Sequence, residues 1–293
     1  KFLRGWAMTA AVVVLATGAS RAQEGKPAYA IYDKEGKNVT YGEMVRELAK
    51  PDVVFLGEIH NCPVTHWLEF EIARSLQEIH GPRLTIGEEM LESDVQLIVD
   101  EFLQGKIAEN RFEAEARLWD NYATDYKPVT ILAKSRGIRL VATNVPRRYA
   151  ASVNRGGLET LDSLSDEAKR YMAPLPVKFE YDEKANREKF QQMIMMTGGK
   201  MNLKYMAQAQ ALKDATMAWF IARNLDGKFL HLNGSAHSDW RQGIVPYLLE
   251  YRPGTTIATV KFTRQQDIGK LDEQLKGAAD FIVVIPVTMT TSY

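Results

Sequence analysis

The chain has 293 residues, with 45% hydrophobic side chains and 37 basic residues against 37 acidic ones. That balance gives no sign of a nucleic-acid partner, and the length suits one large domain or two small ones. Its single cysteine, Cys62, excludes an internal disulfide, so a core must hold the fold.

The chain opens with Lys1 and Arg4 ahead of an apolar run from about Trp6 to Ala16, followed by small residues to Ala22. A basic start, a short greasy segment and a small-x-small ending predict a secretory signal. The run is shorter than the roughly 20 residues that span a bilayer. Cleavage is expected near Ala22-Gln23, leaving 34 bases against 37 acids. The expected location is the periplasm or cell envelope. No cysteine near the leader's end offers a site for lipid.

Beyond the leader, short apolar runs predict strands at Val53–Leu56, Leu84–Ile86, Arg139–Thr143, Phe229–Asn233, Thr256–Phe262 and Phe281–Ile285. Longer amphipathic stretches predict helices at Tyr41–Ala49, Thr65–His80, Ser93–Gln104, Arg111–Leu118 and Pro128–Ser135. This alternation predicts an α/β fold with a largely parallel central sheet and helices on both faces. Residues 148–225 break the rhythm and hold seven of the eleven methionines. They read as an inserted helical, Met-rich cap on a domain covering 23–293. Flexible thioethers serve core packing or a ligand-facing surface equally well.

Four predicted strands end in polar clusters: Gly57-Glu58-Ile59-His60, Gly87-Glu88-Glu89, Thr143-Asn144-Val145-Pro146-Arg147 and Gly234-Ser235-Ala236-His237. Parallel strands would bring all four to one edge, where α/β sheets bind ligands. Two clusters are Gly-x-x-His. Glu58, His60, Glu89 and His237 together suit a divalent metal such as zinc or manganese, and suit acid–base catalysis equally. Arg147 offers a bidentate grip on an anion. His80 and His231 read as structural. Trp119, Tyr122 and Tyr126 crowd one connection, and Gln210 and Asp214, four apart, share a predicted helix face that could dip toward the site. Cys62 is a soft ligand if accessible and inert if buried.

Taken in order, Phe55-Leu56-Gly57-Glu58-Ile59-His60, Glu89-Met90, Trp119 with Tyr122, Ala142-Thr143-Asn144-Val145-Pro146-Arg147, Gln208 with Asp214-Ala215-Thr216-Met217-Ala218, and Asn233-Gly234-Ser235-Ala236-His237 resemble the ChaN family of haem-binding uptake proteins, within the Tiki and erythromycin-esterase superfamily. The resemblance runs from about Val53 to Pro246. It implies an exported haem-binding protein for haem or iron uptake, with envelope haem-transport proteins as partners and haem shared between two copies. It also implies a tyrosine on the haem iron and basic groups on the propionates. Tyr205 is the expected ligand, with Lys200, Lys204 and Met201 beside it. The superfamily's hydrolases imply the alternative, a metal-dependent protease- or esterase-like enzyme using Glu58, His60, Glu89, Arg147 and His237, with Asn144, Gln208, Asp214 and Tyr122 lining the pocket.

Overall fold

A computed structural model describes residues 25–189, 195 and 202–293; the leader, Lys200 and Met201 lie outside the described residues. The seven strands are β1 (Ala30–Asp33), β2 (Val53–Glu58), β3 (Leu84–Glu92), β4 (Arg139–Asn144), β5 (Lys228–Gly234), β6 (Ile257–Gln265) and β7 (Phe281–Pro286). They form one sheet in the order β1-β7-β6-β2-β5-β3-β4. Every pairing is parallel except β1 with β7. The α/β architecture with a mostly parallel sheet is thus present, with an antiparallel edge strand that the apolar pattern did not reveal.

The central strands are apolar on both faces because both are covered. Val54 and Leu56 of β2, with Ile86, Leu230 and Leu232, pack beneath helices that include Pro63–His80 and Lys127–Arg136. Val53 and Phe55 point the other way and meet Met217, Ala218 and Ile221 of the long helix Leu203–Asn224. Phe55 is fully buried, and burying such a side chain contributes about 2–3 kcal/mol.

Helix Leu203–Asn224 is buried nearly all round, which a helix requires when both its sides are covered. One side lies on the sheet. The other packs through Ala209, Leu212 and Ala215 against Val153, Leu161 and Met172. Among the described residues, 148–225 contains no strand, and its Met172, Met206 and Met217 are buried in apolar clusters. The helix that follows β2 begins directly after Cys62, with Pro63 in its first turn, where a missing N–H costs nothing. Cys62 itself is completely buried.

Candidate functional site

Parallel pairing aligns the strand ends. Glu58 of β2 stands opposite Gly234 of β5, and Glu88 of β3 opposite Leu232. Strand alternation then divides the carboxylates between the two faces. Glu58 and Glu88 continue the face of Leu56 and Ile86, toward helix Pro63–His80. Glu89 takes the opposite face, toward helix Leu203–Asn224. A register shift in β3 between Glu88 and Glu92 accompanies this splay.

On the long-helix face the polar groups form a chain. His237, on the turn after β5, hydrogen-bonds Asp214 through Nδ1 at 2.5 Å, and its Nε2 lies 3.3 Å from Glu89 Oε1. Glu89 Oε2 accepts from the Gly234 amide at 2.8 Å. Asn144 donates to the Glu89 carbonyl at 3.0 Å. Burial alone would raise Glu89, but the His237 charge and hydrogen bond hold it well below the usual carboxylate range. Burial alone would lower His237, yet Glu89 and Asp214 push it up to about 10. The triad therefore behaves as an imidazolium between two carboxylates.

On the other face the chain turns at His60, so its Nδ1 folds back onto Glu58 Oε1. The Tyr126 hydroxyl donates to the same oxygen at 2.7 Å. Burial opposes Glu58 ionisation, but the His60 hydrogen bond and charge win and hold the carboxyl low. His60 is raised in turn by Glu58 against its own desolvation. The Trp119 ring packs edge-on at 5.0 Å from the His60 ring, whose side chain stays 39% exposed. The two faces meet at Gly234. A Cβ there would lie 2.7 Å from His60 Nε2 and 3.6 Å from Glu89 Oε2, so glycine leaves the space His60 occupies.

A deeper layer lies behind Glu58. His66 faces Glu69 at 3.0 Å and Asp125 at 3.3 Å. Burial and the neighbouring Glu58 drive Glu69 well above its ordinary value. Glu88, buried and facing Glu58, is pushed up to about 8. The group of His, Cys, Asp or Glu whose ligand atoms lie within 4.8 Å of one another is, among the described residues, Glu58, His66 and Glu69. Sequence reasoning passed over His66, Glu69 and Asp125. The signal available was their spacing: His66 and Glu69 are three apart and share a helix face.

The remaining expected residues are placed as follows. Arg147 is exposed in the first turn of helix Arg147–Gly156 and, among the described residues, makes no hydrogen bond or ion pair to these groups. Tyr122 is buried against Phe112, and burial raises its phenol. Gln208 accepts from the Leu158 amide at 3.3 Å, bracing the chain beside Gly157. His231 is fully buried between the Thr143 hydroxyl at 2.8 Å and Asn233 at 2.9 Å, and burial lowers it to about 4. Both ring nitrogens thus find their partners inside the fold. Tyr205 is half-buried in the first turn of helix Leu203–Asn224, its ring beside Gly157, and Lys204 is exposed next to it.

A family model described as haem-binding uptake, Tiki superfamily, ChaN matches residues 44–248. A solved structure described as cofacial haem binding to ChaN of Campylobacter jejuni has the same fold, with a TM-score of 0.67 at 19% identity over 88% of this chain and 96% of that one. Two more distant similarities, each with a TM-score of 0.46, are to the type III effector HopBA1, at 11% identity over 83% of this chain and 91% of that one, and to an erythromycin esterase EreC mutant in its open conformation, at 14% over 87% and 83%. No curated protein matches.

Proposed function

Because this chain belongs to the ChaN family of haem-binding uptake proteins in the Tiki superfamily, we propose that it binds haem and serves haem or iron uptake from outside the cytoplasm. The family match carries this reading. It spans 44–248, and so takes in both strand-end clusters and the whole of helix Leu203–Asn224. Tyr205 supplies a half-buried phenol, and a phenolate is a fitting ligand for ferric iron. Lys204 beside it presents an ammonium that can pair with a propionate.

Residues 1–22 are the proposed export signal, and among the described residues no helix is long and apolar enough to cross a membrane. A second copy sharing the haem and an envelope haem-transport protein are the partners this role requires. Hemin titrated into the purified chain should give a Soret band with the charge-transfer features of tyrosine-ligated ferric haem. Tyr205→Phe should remove those features and weaken binding about tenfold, or about 1.4 kcal/mol. An unchanged spectrum would take Tyr205 out of the site. A wild-type chain that leaves the hemin spectrum as it is in buffer would end the haem reading.

One observation favours hydrolysis as a second activity. Two imidazoles, each backed by a carboxylate, share Glu89 as an electrostatic neighbour, His237 at 3.3 Å and His60 within reach of its charge. A carboxylate-held imidazolium is the equipment of a general acid, which can protonate a leaving group. Chromogenic esters and peptides, assayed with and without added zinc or manganese, should be hydrolysed by the wild type. His60→Ala and His237→Ala should each lower the rate by about 10²–10⁴. Equal rates in all three proteins would exclude this activity.

A further inference from the structure

The strand-end pairs use only half of Glu58. Its Oε1 takes His60 and Tyr126, while its Oε2 stands 3.7 Å from His66 Nδ1 and receives no N–H or hydroxyl, the Glu69 carboxyl being its hydrogen-bond neighbour. His66 Nδ1 lies 3.0 Å from Glu69 Oε2, and Glu69 Oε1 likewise receives no N–H or hydroxyl. All three side chains are more than nine-tenths buried. Carboxylate oxygens facing one another in dry space without donors are costly unless a cation or a proton lies between them.

The separations suit a small metal ion. Ligand atoms about 2.0–2.1 Å from a tetrahedral zinc stand about 3.4 Å apart. The distances of 3.0 and 3.7 Å bracket that spacing. The far side of the imidazole is also prepared. His66 Nε2 lies 3.1 Å from the His60 carbonyl and 3.3 Å from Asp125 Oδ2. The Asn121 amide donates to both of those acceptors, at 3.1 and 2.8 Å. A metal-bound histidine characteristically gives its other N–H to a carboxylate or carbonyl, which fixes its tautomer and aim. A cavity of about 440 Å³, walled by Pro63, Trp67, Phe70 and Pro128, adjoins His66 and Asp125 on that far side.

We infer that Glu58 Oε2, His66 Nδ1 and a Glu69 carboxylate oxygen form a zinc site on the helix Pro63–His80 side of the sheet, with Asp125 orienting His66 from behind. One nitrogen and two oxygens at short separations favour zinc over calcium, which takes six to eight oxygens. The site is distinct from the Glu89–His237–Asp214 group on the opposite face, and it does not depend on haem binding.

The test uses the full chain, stripped with chelator, loaded with zinc chloride at neutral pH, gel-filtered and analysed for metal. About one zinc per chain is expected for the wild type and for His237→Ala. His66→Gln and Glu69→Gln should retain about a tenth of that or less. Zinc should raise the melting temperature of the wild type but not of Glu69→Gln. X-ray absorption of the zinc-loaded wild type should show one imidazole among oxygen donors, a result that stands even if a variant fails to fold. Wild type that retains no zinc would overturn the proposal. So would zinc kept by His66→Gln and lost by His237→Ala, or a coordination sphere with two imidazoles or a sulfur. Hemin titration of the same Glu69→Gln sample reads the haem proposal separately.

Discussion

Replacing Asp214 with alanine is expected to lower the unfolding free energy by about 3–5 kcal/mol, measured by urea denaturation at pH 7. The residue is nearly fully buried, and its carboxylate is bonded to His237 Nδ1. Removing it leaves an imidazolium with Glu89 as its remaining partner in a dry setting. The pH dependence gives a sharper readout. The folded protein holds the His237 proton up to about pH 10, against an ordinary value of 6.5. Stability from this group is therefore fully present below about pH 6.5 and is lost as pH rises toward 10. Glu89 works in the opposite direction. Its carboxyl is held below the ordinary 4.5, so its contribution is present above that pH and is lost as pH falls through the depressed value. Wild-type stability from the triad should thus peak between about pH 4.5 and 6.5. Asp214→Ala should flatten the alkaline limb. A limb of unchanged slope would mean that Asp214 does not hold the imidazolium.

Gly243→Ala should cost about 3 kcal/mol, through strain and collision together, and lower the melting temperature by roughly 6–12 °C. Gly243 adopts φ 63° and ψ −112°, a conformation closed to residues with a Cβ. A Cβ there would lie 2.3 Å from the His237 carbonyl oxygen and 2.8 Å from its carbon. Both are backbone atoms, so the turn carrying His237 must move. Gly254→Ala is the comparison. It shares a positive φ of 83°, but nothing lies within 4 Å of the added methyl. Its cost should be about 1 kcal/mol, from backbone strain alone. Equal losses in the two variants, read by thermal denaturation, would show that the contact with His237 contributes nothing.

The sheet's middle was legible because its strands are covered on both faces and so read as unbroken apolar runs. β2, with all six residues buried, is the clearest case. The shared edge of the polar clusters was legible for a related reason: parallel strands must end on one side. β1 was not. Ala30-Ile31-Tyr32-Asp33 is four residues long with two fully buried, too short to stand out before it pairs antiparallel with β7. The exit of β3 was misread, since Glu88 and Glu89 look like the polar start of a loop while the strand continues to Glu92 and stays buried through Leu91.

The candidate site divided along the same line. Glu58, His60, Glu89, Asn144, Asp214 and His237 were identifiable from strand ends and a helix spacing, and the structure brings them together. Which face each carboxylate occupies depends on register and on β5 lying between β2 and β3, an order no local pattern encodes. His66 and Glu69 sit among Trp67 and Leu68 in what reads as an ordinary amphipathic helix. Only the fold turns them toward Glu58. Arg147 stood out as the basic end of a polar motif, but the helix that starts there carries it to the surface.

Glu58 has one oxygen for His60 and Tyr126 and another for His66, and both belong to a single delocalised anion. Electron density drawn to either oxygen is withdrawn from its twin. Events on the exposed imidazole and in the enclosed chamber are consequently linked, and thermodynamic reciprocity makes the free energy of that linkage identical whichever side is perturbed first.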